Sequence, residues 1–338
     1  MPVRLRTVQE GNFLRWNGRC SPFYEIYYLR LLDPEKNWSF WVRYTLLSPK
    51  GEGLPPSASL WAIFHEQKKP PIALKLTIPL HELDIFHADR FIQIRDSYLS
   101  LAQAVGELSD SDHQISWNLD FDDPTISLAL YPYRALYSLP FPKTKFLEPR
   151  FLTHVTGSVT IDRRQIQVNQ ARAHQAHLWG TAYARNWAWG LCDGFLEDPE
   201  TRFEGLIARI SLGLFSSPPL RLFYFFWRGK EFYINNLLHW RSVYGSENLL
   251  EWVFEARSGD TKFSGRLWRS AEDCVGLEYM WPSGEKRFCH NTMAADMELS
   301  VFERRGKEWI FVEKLTAPKG AAFETVATEP DRRVTFIL

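Results

Sequence analysis

The second half of the chain alternates apolar and polar residues with a period of two between short turns. Residues 220–227 are apolar and aromatic, turn at 228–230 and return over 231–237. Residues 249–256 turn at 258–260 and return over 261–268, where Phe263, Gly265 and Leu267 share a face. Val275, Leu277, Tyr279 and Trp281 alternate with polar or small residues up to a turn at 282–284. Met297, Leu299 and Val301 repeat the pattern before a turn at 305–307 and a strand at 309–314. Period-two alternation between glycine-containing turns predicts an antiparallel meander. The first half is rougher. Strands are expected at 39–47, 58–65, 72–78, 91–97, 115–121, 125–130 and 157–168, the last folded back at 162–164. Proline-rich joints fall at 55–56, 70–71 and 140–149, and a helical turn or two is expected over 99–108. Many short strands with regular turns imply an all-β protein of sandwiches or barrels.

Length divides this pattern. A chain of 338 residues is longer than a single core usually supports. The segment 193–204 (DGFLEDPETRFE) interrupts the strands, which sets the expected domains at 1–195 and 196–338.

Charge and cysteine usage narrow the class. Lys plus Arg and Asp plus Glu are both 40, so the chain has no net charge to grip nucleic acid or anionic lipid. Residues 1–15 have no apolar run of secretory type, and no stretch approaches the length of a transmembrane helix. Four scattered cysteines, with no CxxC pair, read as free thiols in a reducing, cytoplasmic compartment. Compact HxH and HExxH spacings are absent, as are phosphate loops, nucleophile elbows and dinucleotide fingerprints. The expectation is therefore no metal and no cofactor. Oligomeric state is not legible.

Aromatic residues carry the chemistry: 14 Trp, 13 Tyr and 24 Phe. One segment stands out: between His174 and Trp189, two histidines (His174, His177) and three tryptophans (Trp179, Trp187, Trp189) fall within 16 residues. On strands, His177 and Trp179 share a face, and so do Trp187 and Trp189. If the two strands are neighbours, an imidazole stands beside a wall of indoles. Imidazole moves protons near neutral pH, and indole faces stabilise cations. That set suits protonation, hydration, cyclisation or isomerisation of an apolar molecule. A packed tryptophan core with a hydrogen-bonded structural histidine explains the same residues and carries about twice the weight. Glu25 and Arg43, on aromatic strands, are candidates for a cavity-lining or structural ion pair.

The line GSVTIDRRQIQV (157–168), followed by HLWG (177–180) and NWAWGLCDGF (186–195), resembles the lipocalin-like hydratase and cyclase group. That group includes carotenoid 1,2-hydratases (hydroxyneurosporene synthases), AttH-like proteins and, more distantly, tocopherol cyclases and fungal Diels–Alderases. YEIYY (24–28), WVRY (41–44), CHN (289–291) and LTAPKGAAFE (315–324) agree with it. The resemblance is nearest to the AttH-like members. It implies two lipocalin-like (calycin-type) antiparallel barrels packed together, with a ligand cavity in or between them. It also implies an active-site role for His177 and Trp179, together with a downstream acid for which Asp193 and Glu204 are the candidates. Trp179, Trp187, Trp189, Trp41 and Tyr27 are the expected ligand-binding residues. The expected function is a cofactor-independent hydratase, cyclase or isomerase acting on an apolar, terpenoid or polyketide-like molecule. The alternative is a lipid or pigment carrier.

Overall fold

The computed structural model describes residues 5, 7–33, 37–51, 54–83, 89–124, 126–212, 215–235 and 242–337. It contains two large antiparallel sheets. In the first, hydrogen-bonded neighbours run Ile72–Pro79, Ser57–Glu66, Trp38–Ser48, Phe23–Asp33, Arg164–Gly180, Thr144–Ile161, Gln114–Phe121, Gln103–Ser109, Ser97–Ser100 and Arg90–Ile94. In the second they run Lys230–Ile234, Leu220–Trp227, Arg202–Arg209, Asn186–Cys192, Glu308–Ala327, Lys286–Arg305, Thr261–Trp268, Glu251–Ser258 and Val243–Glu247. Each sheet curls until strands near its two ends approach one another: Ile72–Pro79 meets Gln103–Ser109, and Lys230–Ile234 meets Glu251–Ser258. The protein is thus a pair of lipocalin-like barrels.

Two sequence expectations are corrected. Residues 99–108 form no helix but belong to strands Ser97–Ser100 and Gln103–Ser109. Ser100 turns the chain between them, its Oγ accepting from the backbone N–H groups of Ala102 and Gln103. Sheet pairing and this side-chain-capped turn override the weak helical propensity. The change of sheet falls between Gly180 and Asn186, ahead of the junction expected at 195/196. Strand Asn186–Cys192 pairs with Arg202–Arg209 and Glu308–Ala327 of the second sheet, so the WxW block lies outside the first barrel.

Alternation sorts the side chains into three cores. Phe40, Val42, Tyr44, Leu60, Trp117 and Val159 fill the first barrel. Phe203, Phe223, Phe225, Trp252, Phe254 and Phe263 fill the second. The opposite faces of the same strands supply a third core between the barrels, including Trp41, Trp61, Phe151, Trp189, Tyr224 and Tyr279. Because each of these strands is apolar on both faces, both barrel interiors are packed while a further aromatic layer is left for the interface.

Candidate functional site

His177 and His174 lie three residues apart on strand Arg164–Gly180 and therefore point to opposite faces. His177 points to the end of the first barrel, which the segment 7–16 covers. Its Nε2 lies 2.8 Å from Glu25 Oε1, and its Nδ1 lies 2.7 Å from the Gly11 carbonyl oxygen. Tyr27 stacks on the ring at 4.2 Å, and Trp179 lies at 4.8 Å. Glu25 also accepts from the backbone N–H of Arg15 and Trp16 and from the Tyr27 hydroxyl. Both imidazole nitrogens thus have a partner. Neither His177 nor Glu25 has exposed surface. The cluster fastens the N-terminal segment to the barrel and leaves no lone pair facing open space.

His174 faces the other barrel. Its Nε2 lies 2.8 Å from Glu148 Oε1. Glu148, on strand Thr144–Ile161, lies within hydrogen-bond reach of Glu204 on strand Arg202–Arg209 of the second sheet. Trp189 Nε1 donates to Glu204 Oε1 at 2.9 Å. Phe151, Tyr28 and Trp189 stand around the His174 ring at 5.8, 5.5 and 6.2 Å, and Tyr224 packs on Phe151. His174, Glu148 and Glu204 are fully buried.

Electrostatics follow from this burial. Burial, then the charge and hydrogen bonding of Glu204, raise the Glu148 carboxyl well above its ordinary range. Burial pushes Glu204 up to about 7, against the stabilising bonds from Glu148 and Trp189. Burial, reinforced by the Arg30 charge, pushes His174 down to about 3. The imidazole is therefore neutral. Among the described residues, no donor group reaches Glu148 Oε2 or Glu204 Oε2, and His174 Nδ1 has no partner. Two carboxyls this close do not both ionise in an apolar setting, so one proton between them satisfies both.

The other expected residues divide between the two faces. Trp189, Trp187 and Trp41 lie in the interface core, whereas Tyr27 and Trp179 belong to the His177 cluster. Strands Arg164–Gly180 and Asn186–Cys192 are not neighbours, so His177 has no indole wall from the WxW block; His174 approaches Trp189 instead. Asp193 is buried against Arg30, its Oδ1 3.0 Å from Nη1. Burial would raise this carboxyl, but Arg30, with Arg202 and Arg172, holds it below the ordinary range. Of the two expected acids, Glu204 alone enters the interface cluster, and it meets Glu148 and His174 rather than His177. Glu25 pairs with His177 and not with Arg43, which faces the interface. His65 lies 3.9 Å from Asp273 of the second barrel.

Sequence reasoning missed Glu148. It sits in the stretch 140–149 taken as a proline-rich joint, although a lone acid between apolar Phe146-Leu147 and Phe151-Leu152 was a signal of buried charge. Among the described residues, no helix is long and apolar enough to cross a membrane.

Comparison with known proteins places this geometry. The tocopherol cyclase-like family model matches residues 152–325. The uncharacterized proteins MT0513 and Rv0493c, from two strains of Mycobacterium tuberculosis, are each 25% identical over 298 residues, covering 87% of this chain and 85% of their own. The structure is similar to that of an AttH candidate from Nitrosomonas europaea, with a TM-score of 0.54, 10% identity, and coverage of 96% of this chain and 99% of that one. It is also similar to kievitone hydratase from Nectria haematococca, with a TM-score of 0.56, 10% identity and coverage of 90% and 88%. At such identity the two structures share the fold.

Proposed function

The chain belongs to the tocopherol cyclase-like family, and on that premise we propose that it is a cofactor-independent hydratase, cyclase or isomerase acting on an apolar, terpenoid or polyketide-like olefin at the inter-barrel face. The observation that carries this reading is the buried Glu148–Glu204 pair inside an aromatic layer, where burial raises both carboxyls. A carboxylic acid there delivers its proton to a carbon–carbon double bond, and the π electrons form the new C–H bond. The resulting carbocation lies against Tyr28 and Trp189, whose ring faces stabilise positive charge. Water, an internal hydroxyl or loss of a neighbouring proton then completes hydration, cyclisation or isomerisation. The proton released in that step returns to the carboxylate.

The test is deuterium transfer from D2O to carbon across a panel of polyprenyl and polyketide olefins. Wild-type protein is expected to label one of them. Glu204→Gln and Glu148→Gln should each slow labelling by about 10²- to 10⁴-fold. Full labelling by folded Glu204→Gln protein ends the acid role. The aromatic interface also fits a carrier. Native mass spectrometry of protein from its own host that finds an intact apolar ligand, with no deuterium transfer, selects that reading.

A further inference from the structure

The interface has a second chemical pole, opposite in character to the carboxyl pair. Tyr28, Arg43, Trp61 and Lys75 stand directly opposite one another on four successive strands of the first sheet, forming one row across the face turned to the second barrel. The Arg43 guanidinium lies 4.1 Å from the Tyr279 ring centroid and 5.9 Å from that of Trp61. The Lys75 ammonium lies 3.9 Å from the same indole. Two cations thus flank Trp61.

Their surroundings hold few acceptors. Arg43 is 6% exposed. It donates to Thr45 Oγ1 at 3.1 Å and to the Tyr183 hydroxyl. Among the described residues, neither Arg43 nor Lys75 has a carboxylate within 4 Å; the nearby acids are committed elsewhere. Glu324 accepts from Trp187 Nε1, Asn291 Nδ2 and the Tyr279 hydroxyl, and Glu278 pairs with Lys286. The indole N–H of Trp61 is buried with no acceptor, and so is that of Trp281, which packs beside Tyr183. Orphan donors beside a buried arginine call for an acceptor that the described residues do not supply. At the acid pole no donor group among the described residues reaches two carboxyl oxygens, Glu148 Oε2 and Glu204 Oε2.

We propose that Arg43, with Trp61 and Lys75, binds an anionic group of the ligand, a carboxylate or a group of like charge, while the apolar remainder reaches toward Glu148 and Glu204. Substrate class is thereby narrowed to amphiphilic anions. This rests on the acid reading above only for what happens at the far end; the anion site stands on its own geometry. Arg43 and His174 are two strands and two residues apart, so their Cα atoms are separated by roughly 12 Å. That spacing asks for a chain or ring system of several carbons between the charge and the reacting bond.

Tryptophan fluorescence with two probes tests the site: dodecanoate, and uncharged dodecanol of the same length, both at about pH 8, where the carboxylate is ionised. The full-length protein should bind dodecanoate roughly 10- to 100-fold more tightly than dodecanol. Arg43→Met should abolish that preference while leaving dodecanol affinity unchanged, which also reports that the fold is intact. Arg43→Lys should keep most of the preference. Lys75→Met, at an exposed position, should reduce it severalfold and provides the same readout if Arg43→Met does not fold. Equal binding of the two probes by wild-type protein overturns the proposal. So does a preference that survives both Arg43→Met and Lys75→Met. Glu204→Gln should retain the preference, because it removes only the acid. Normal deuterium transfer without a dodecanoate preference ends the anion site and spares the acid. A dodecanoate preference without deuterium transfer does the reverse.

Discussion

His174 and His177 share a strand, a residue type, complete burial and a glutamate partner, yet the structure gives them opposite chemistry. Both His177 nitrogens have partners, the Gly11 carbonyl and the Glu25 carboxylate, and Glu25 also accepts from two backbone N–H groups and a tyrosine hydroxyl. His174 has one nitrogen paired with Glu148 and the other without a partner among the described residues, beside two carboxyls held together. The first network is closed by its own partners; the second gathers two carboxyls and a neutral imidazole in an apolar layer, where burial shifts their protonation. The difference arises from strand parity. Residues three apart face opposite ways, one toward the covered end of a barrel and the other toward the neighbouring barrel.

The largest expected effect that separates the two is on turnover. His177→Gln should leave deuterium transfer within a fewfold of wild type in whatever fraction remains folded, whereas Glu204→Gln should lose about 10²- to 10⁴-fold. Rates normalised to folded protein by near-ultraviolet circular dichroism decide this, and a loss at His177 equal to that at Glu204 breaks the comparison. The second effect is on stability. His177→Ala strands Glu25 without its buried partner and should cost about 3–5 kcal/mol in urea unfolding, together with faster proteolysis near residues 7–16.

The third effect is on pH. Glu148 and Glu204 have folded-state values above their unfolded ones, so the native state holds the extra proton. Their contribution to stability is present below the unfolded value near 4.5 and is lost as pH rises toward about 7. His174 has the opposite sign. Its value of about 3 lies below the unfolded 6.5, so its neutral form loses stability as pH falls through that interval. Glu204→Gln removes only the first contribution. Its stability relative to wild type should rise by about 1–3 kcal/mol between pH 5 and 8, and a flat difference refutes the shared proton. The smallest effect belongs to Trp189→Phe, which removes one donor to the Glu204 carboxylate. The high-pH limb of activity should move upward by less than about one unit, with a stability change of about 1–2 kcal/mol.

Much of this was legible in the chain. Period-two alternation and glycine turns gave the hairpins of the second barrel, such as 249–256 with 261–268, within a residue or two. The aromatic block 174–189 marked the segment that joins the two sheets, and its motifs indicated the family. Helix or strand at 99–108 was ambiguous because a short apolar run fits either until a neighbour supplies hydrogen bonds. Glu204 was visible as an acid near the block, but its partner was not, because Glu148 comes from another sheet, 56 positions earlier in the numbering.

The sequence by itself determined the class of this protein: strand periodicity and turn chemistry, which are local signals, permit an all-β protein of sandwiches or barrels, and the motif resemblance narrowed that to a pair of lipocalin-like barrels. Which histidine meets which acid was decided only by tertiary structure. Pairing strand Asn186–Cys192 with the second sheet turned Trp189 and Glu204 toward His174 and left His177 to the N-terminal segment. Burial of two carboxyls against each other is a property of that packing, and no spacing along the chain encodes it.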